Sequence, residues 1–283
     1  MEQTHVEANG IRFHCVQQGL PGAPLVLLLH GFPEFWYAWR YQIPVLAEHF
    51  WVVAPDLRGY NLSDKPAGGY DLATLSADIR ALIAAFGYSK AHVVGHDWGG
   101  LIAWEFAYRY PDALDRLVVL NAPHPVRFVE ELRSNPLQLF KSLYIFFFQL
   151  PWLPEQLIAH NDYEVLEQLF RHPEVRPGSF SDADIQVYRQ ALAVPGALSA
   201  ALRYYRELLQ PAGTSYEQLL AAPALVIWGS RDFALETRLS EKLERFFVSG
   251  PKRVLLRDCS HWVQQEDPGQ VNALLIDFLV PTG

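Results

Sequence analysis

The fold of this chain is decided by the stretch Val93-Val94-Gly95-His96-Asp97-Trp98-Gly99-Gly100. An apolar run, 91–94, ends there and predicts a buried strand, and the helical pattern 101–107 follows the glycines. Asp97 therefore lies at a sharp strand-to-helix corner, where glycines avoid clashes between the strand and the helix. A helix N-terminus stabilises a carboxylate and offers free N–H donors. Asp97 is accordingly either a helix N-cap or a nucleophile.

The composition limits the classes of protein to which the chain can belong. The chain has 283 residues, half of them hydrophobic, which allows one large domain or a domain with an insertion. Its net charge is −8 and it has no block of Lys and Arg, so nucleic acids and anionic membranes are poor partners. We expect neither a nucleic acid nor a membrane as a partner. Its longest apolar runs are too short to span a bilayer, and its first residues lack the pattern of a signal peptide. We expect a soluble cytoplasmic protein, monomeric or homodimeric.

Buried strands and helices alternate along the first part of the chain. Apolar runs predict buried strands at 24–29, 51–56, 91–94 and 116–121, and an amphipathic helix at 74–86 separates the second from the third. This alternation is typical of a mostly parallel, doubly wound sheet of the α/β class. An earlier strand, 11–16, alternates in polarity and is expected at the edge of the sheet.

The alternation is interrupted after residue 125. Residues 126–215 contain many aromatic residues and prolines but no buried-strand pattern, which predicts an inserted all-helical lid. The core is then formed by residues 1–125 and 216–283. Its second part has strand patterns at 223–229 and 252–256, a helix pattern at 235–247 and a closing helix at 274–279.

A loop after the first buried strand faces the same edge of the sheet as Asp97. His30-Gly31-Phe32-Pro33 follows that strand directly and can present backbone N–H groups. In elbow-type enzymes the oxyanion donors come from this loop and from the residue after the nucleophile. We therefore predict an oxyanion hole made by the N–H groups of Phe32 and Trp98.

Three ionisable residues each follow a predicted strand, in the order nucleophile, acid, histidine. They are Asp97, Asp232 and His261, and the carboxyl ends of parallel strands share one sheet edge. A carboxylate attacks without prior deprotonation and forms an ester with the substrate. His261, oriented by Asp232, would then activate a water molecule to hydrolyse that ester. Such a nucleophile suits an sp³ carbon with a strained or good leaving group, as in epoxides and alkyl halides.

The chain resembles the soluble-type epoxide hydrolases of the α/β-hydrolase family over nearly its whole length. The resemblance is carried by His30-Gly31-Phe32-Pro33, by Gly95-His96-Asp97-Trp98-Gly99-Gly100, and by Asp232 and His261. In that family two lid tyrosines protonate the epoxide oxygen. The resemblance implies Tyr144 as the first, and Arg203-Tyr204-Tyr205-Arg206 offers Tyr205 as the second, with Tyr204 as an alternative.

Two other functions are compatible with the same residues. Haloalkane dehalogenases share the Asp-Trp pair, although many carry asparagine where Phe32 stands in this chain. Fluoroacetate dehalogenases have an arginine after the nucleophile, and Trp98 argues against them. A hydrolase-fold protein that only binds a small molecule is disfavoured by the intact set of nucleophile, acid and base.

The aromatic lid predicts an apolar pocket that takes a small lipophilic epoxide together with water. Nothing in the sequence calls for a metal or an organic cofactor, because Cys15 and Cys259 stand in no metal or redox spacing. The residues expected to contact the substrate are His30, Phe32, Pro33, Trp98, Phe148, Trp152, Tyr204 and Trp262.

Overall fold

A computed structural model describes residues 1–208 and 214–280 of the chain. The strands are β1 (Glu2–Ala8), β2 (Ile11–Gln18), β3 (Leu25–Leu29), β4 (Trp51–Pro55), β5 (Ala91–His96), β6 (Leu114–Leu120), β7 (Ala224–Gly229) and β8 (Lys252–Leu256). They form one sheet in the spatial order β1-β2-β4-β3-β5-β6-β7-β8. The pairs β1–β2 and β2–β4 are antiparallel and all other neighbours are parallel, which confirms the predicted mostly parallel sheet.

Helices cover both faces of this sheet. They are α1 (Ile43–Leu46), α2 (Leu72–Ala85), α3 (Trp98–Arg109), α4 (Pro125–Ser134), α5 (Pro136–Lys141), α6 (Leu143–Phe147), α7 (Leu153–Phe170), α8 (Asp182–Ala193), α9 (Ala197–Glu207), α10 (Val263–Glu266) and α11 (Pro268–Leu279). On β3, Leu27 packs with α2 and α3 while Leu28 packs with α1 and α11. Because successive strand residues point to opposite faces, a strand buried on both sides must be apolar throughout.

Among the described residues, six helices, α4 to α9, lie between β6 and β7. Within the described residues no strand occurs in this interval, and residues 209–213 of the predicted lid lie outside the described residues. The helix α7 is interrupted in its middle, where Asn161, Asp162 and Tyr163 adopt left-handed backbone angles. The boundaries of the lid at residues 126 and 215 stay a prediction.

Two expectations about secondary structure were wrong. The strand containing 11–16 is not at the edge of the sheet, because β1 pairs with its outer side. The edge strand is β1, which contains few apolar residues, so the sequence analysis did not predict it. The expected helix at 235–247 consists of two short 3₁₀ helices, Thr237–Ser240 and Glu244–Phe246. Cys15 and Cys259 are buried free thiols.

No helix within residues 1–208 and 214–280 is long and apolar enough to cross a membrane.

The glycines of the strand-to-helix corner permit an unusually close approach of helix and sheet. A Cβ atom at Gly99 would collide with the backbone carbonyl of Leu29, and one at Gly95 would collide with the backbone of Gly99. Backbone atoms cannot move aside as a flexible side chain can. The first turn of α3 can therefore sit against the end of β3 only when both positions lack a side chain.

We expect Gly99→Ala to destabilise the fold, since the added methyl group overlaps a main-chain oxygen. The melting temperature should fall by about 5 °C or more. Gly68→Ala is the matched control, because a Cβ atom at Gly68 meets nothing within 4 Å. It should leave the melting temperature within about 1–2 °C of wild type. Equal melting temperatures for the two variants, measured by calorimetry, would contradict the close approach.

Candidate active site

Asp97 occupies a strained backbone conformation at the end of β5. Its angles are φ +50° and ψ −117°, outside the regions that non-glycine residues ordinarily adopt. The chain turns here from the strand into α3, and the Leu101 N–H donates to the Asp97 carbonyl to start the helix. The side chain is thereby projected away from the sheet, and 15% of its surface is exposed. This is the geometry predicted for a nucleophile elbow.

The three ionisable residues of the predicted triad meet at this edge of the sheet. His261 Nε2 lies 3.5 Å from Asp97 Oδ2, and His261 Nδ1 lies 2.9 Å from Asp232 Oδ2. Asp232 is fixed in turn, because its Oδ1 accepts the N–H groups of Ala234 and Leu235 at 2.8 and 2.9 Å. The histidine ring therefore bridges two carboxylates, one at each nitrogen.

The pKa values of the two aspartates and of His261 shift in opposite directions. Burial raises the pKa of Asp97, but the hydrogen bond and charge of His261 outweigh it and hold that pKa below its ordinary value. The pKa of Asp232 is likewise lowered against burial, chiefly by the charge of His261. Burial lowers the pKa of His261, but Asp232 and Asp97 raise it well above the usual value. These directions favour a protonated His261 between two ionised carboxylates.

The Phe32 N–H, one of the two predicted oxyanion donors, makes a hydrogen bond to the Asp97 carboxylate. The Phe32 N–H donates to Asp97 Oδ1 at 2.8 Å, in the loop that follows β3. The adjacent His30 secures this loop, because its Nδ1 donates to the Gly31 carbonyl and its Nε2 accepts from the Leu57 N–H. The two oxygens of Asp97 are thus distinguished: Oδ1 is held by an N–H group and Oδ2 faces His261. The second donor, the N–H of Trp98, stays a prediction.

Lid and core together enclose a cavity of about 380 Å³ above Asp97. Tyr144 from α6 and Tyr205 from α9 both line it, with their ring centroids 5.8 Å apart. Burial, with the charge of Asp97 among the further causes, raises the pKa of both phenols well above the ordinary value, so both remain protonated. The other lining residues are Phe32, Lys141, Phe147, Phe148, Leu157, Ile158, Val165, Leu166, Leu169, Phe233, Ala234, His261 and Trp262.

Several residues expected to contact the substrate lie away from the cavity. The Tyr204 hydroxyl group donates a hydrogen bond to the Arg58 carbonyl at 2.7 Å, so it is engaged within the protein core. Trp152 is 64% exposed at the start of α7, and His30 is fully buried beneath the loop. Pro33 and the ring of Trp98 do not line the cavity either; that ring packs behind Tyr205 at 5.0 Å. Phe32, Phe148 and Trp262 do line it.

The sequence analysis missed the buried residues that hold the loops carrying Asp232 and His261. Asn121, directly after β6, donates to Asp232 Oδ2 at 2.6 Å. His96 Nε2 contacts the carbonyl oxygen of His261, and its Nδ1 contacts Glu34, both at 2.8 Å. The position of Asn121 at a strand end was a usable signal, whereas the partner of His96 is distant in sequence.

Glu266 holds both sides of the histidine loop. Its carboxylate accepts the N–H of Ser260 at 2.9 Å and the N–H of Trp262 at 3.1 Å, the two neighbours of His261. It also accepts the N–H of Arg176, which belongs to the segment between α7 and α8. A buried carboxylate that receives several N–H donors is well satisfied without a cationic partner. The position of His261 therefore depends on contacts from both lid and core.

Comparisons with known proteins agree with this geometry. Residues 24–268 match the family model described as the alpha/beta hydrolase fold. Epoxide hydrolase 4 of Homo sapiens is 40% identical over 97% of this chain and 77% of its own length. The soluble epoxide hydrolase of Corynebacterium sp. (strain C12) is 33% identical over 99% and 98% of the two chains.

A solved structure shows the same similarity in three dimensions. An epoxide hydrolase mutant from Bacillus megaterium, complexed with its product (R)-3-[1]naphthyloxy-propane-1,2-diol, superposes with a TM-score of 0.91 at 35% identity. The match covers 98% of this chain and 100% of that one. The chain therefore belongs to the α/β-hydrolase family, among its epoxide hydrolases.

Proposed function

We propose that this protein converts lipophilic epoxides to vicinal diols through a covalent ester on Asp97. The observation that carries the proposal is the arrangement of the cavity, which brings two protonated phenols to the same space as the carboxylate. An opening epoxide needs a proton on its oxygen, whereas a departing halide needs none. The names of the relatives and the diol in the related structure support the same substrate class.

In the first step Asp97 Oδ2 attacks a carbon of the epoxide. The C–O bond of the ring breaks, and its oxygen takes a proton from Tyr144 or Tyr205. Oδ1 stays with the Phe32 N–H and becomes the carbonyl oxygen of the new ester. The phenolate that remains is reprotonated by His261, which carries a proton while both carboxylates are ionised.

The first step prepares His261 for the second. Because esterification removes the charge of Asp97, one of the two carboxylates that raise the pKa of His261 is lost. The neutral imidazole, still oriented by Asp232, then takes a proton from water. The hydroxide attacks the ester carbonyl, and the Phe32 N–H stabilises the developing oxyanion on Oδ1. The bond between Cγ and Oδ2 then breaks, the proton of the added hydroxide passes to the departing oxygen to complete the diol, and the Asp97 carboxylate is restored while His261 is again protonated.

The lining of the cavity supports a lipophilic substrate. Its polar groups are confined to the catalytic residues, the two phenols and Lys141, and the remaining lining residues are apolar. Phe32 and Phe148 pack edge-on against Tyr205, with centroid distances of 5.4 and 4.9 Å. An aromatic or alkyl substituent would be desolvated here, while the epoxide oxygen reaches the phenols.

A paired turnover assay with styrene oxide and 1-bromobutane tests the proposed reaction. We expect diol formation by the wild type and no bromide release, with Tyr205→Phe reducing diol formation by about 10²-fold or more because a proton donor is lost. Tyr204→Phe is the matched control, since its hydroxyl group donates to the Arg58 carbonyl outside the cavity. Bromide release that is insensitive to Tyr205→Phe would instead identify a dehalogenase.

The two-step mechanism predicts that His261→Gln accumulates the ester. Attack by Asp97 does not require the base, but hydrolysis does, so the variant should retain the substrate covalently. Mass spectrometry of the intact variant after incubation with styrene oxide should show one added substrate mass. The same variant carrying Asp97→Asn should show none. An unmodified His261→Gln protein would contradict the covalent route.

The proposed change in base strength can be measured directly. We expect Asp97→Asn to lower the pKa of His261, because the substitution removes the charge of one adjacent carboxylate. Ring-nitrogen NMR titration would follow the change. His92, whose burial lowers its pKa to about 4, is the internal control and should not move. An unchanged pKa for His261 would mean that Asp97 does not govern its protonation.

A further inference from the structure

The lid carries an exposed apolar surface beside the cavity. Eleven residues between Pro136 and Leu157 are exposed, and Gln156 is the only polar one among them. We name the ten others the lid patch: Pro136, Leu137, Leu139, Phe140, Leu143, Phe146, Leu150, Pro151, Trp152 and Leu157. Polar exposed residues border it on both sides, at 133–134 and 160–162. A segment whose exposed residues are nearly all apolar is typical of an interaction surface.

The lid patch is electrically neutral. The two charged side chains within the segment are partly buried and already paired, Lys141 with Glu236 and Glu155 with Arg206. Arg206 also donates to the carbonyls of Phe148 and Leu150, at 2.9 and 2.8 Å, and so ties the end of α6 to the start of α7. These contacts fix the backbone beneath the patch while its apolar side chains face solvent.

The lid patch and the cavity are two sides of the same helices. On α6, Tyr144 and Phe147 line the cavity while Leu143 and Phe146 are exposed. Leu157 belongs to both surfaces, since it lines the cavity and is 55% exposed. The exposed apolar surface therefore reaches the mouth of the cavity.

We propose that the lid patch docks on the surface of an electrically neutral lipid bilayer, from which the enzyme takes its substrate. Exposed Trp, Phe and Leu side chains on short helices are typical of segments that lie in a membrane interface. A second copy of the chain seated on the patch would cover Leu157 and obstruct the cavity, whereas a bilayer dissolves the apolar molecules that enter it. The net charge of −8 disfavours anionic lipid, as the sequence predicts.

The substrate in this inference rests on the proposed function, but docking is measured without turnover. Co-sedimentation with phosphatidylcholine vesicles is expected to retain the wild-type protein, with little dependence on salt, because the patch carries no net charge. Vesicles that also contain phosphatidylserine should bind it less. Failure of the wild type to bind phosphatidylcholine vesicles would overturn the docking proposal and leave the epoxide hydrolase reaction unaffected.

Variants locate the docking surface. We expect Phe140→Glu with Phe146→Glu to reduce vesicle binding by about tenfold or more, since both side chains are exposed and would carry charge into the interface. The matched control pair is Leu20→Glu with Val248→Glu, which are 76% and 67% exposed on the core and should bind as the wild type does. Equal loss in both pairs would overturn the assignment of the patch.

Two further measurements separate the other outcomes. Styrene oxide turnover in solution should be unchanged by Phe140→Glu with Phe146→Glu, because neither residue lines the cavity. If the glutamates unfold the protein, Phe140→Ser with Phe146→Ser replaces them and should show the same loss of binding. Light scattering that finds a dimer, abolished by these substitutions, with no vesicle binding would assign the patch to a second copy and overturn the proposal.

Discussion

The close approach of α3 to the sheet is the constraint on which the active site depends. Gly95 and Gly99 let the first turn of the helix sit against the end of β3, and a Cβ atom at Gly31 would collide with Asp97 itself. Asp97 is held at φ +50° by this packing. The strain of that conformation is offset by the contacts around it. Its carboxylate consequently meets the Phe32 N–H on one side and His261 on the other.

The same edge of the sheet concentrates buried charge, and each charge is compensated locally. Asp232 receives hydrogen bonds from His261, Asn121 and two backbone N–H groups, and Glu266 receives them from both neighbours of His261. An uncompensated buried carboxylate would cost several kcal/mol. Because Arg176 also donates to Glu266, docking of the segment between α7 and α8 is part of this compensation. The lid therefore supports the histidine loop as well as enclosing the cavity.

The positions that follow strands could be predicted from the pattern of the sequence itself, whereas Tyr144 and Tyr205 on the lid helices could be predicted only from the family resemblance. Asp97 and Asp232 each follow a run whose burial on both faces fixes its place in the sheet, whereas His261 follows β8, a short and mostly exposed strand. Tyr204 and Tyr205 are adjacent on α9, and about 100° of helical rotation separates their side chains. Only packing selects which one faces Asp97. Trp152 was misplaced for a related reason, since aromatic content does not tell an inward side chain from an exposed one.

The lid helices also explain why the sequence pattern there is ambiguous. A helix that is apolar on all sides is ordinarily buried in a protein core or surrounded by lipid. The helix α6 is apolar throughout apart from the hydroxyl of Tyr144, yet Leu143 and Phe146 are each 50% exposed. Its inner face is apolar because it lines the substrate cavity. Its outer face is compatible with contact to a lipid bilayer, from which a lipophilic substrate would come. Apolar side chains on α6 therefore suit both its inner and its outer face.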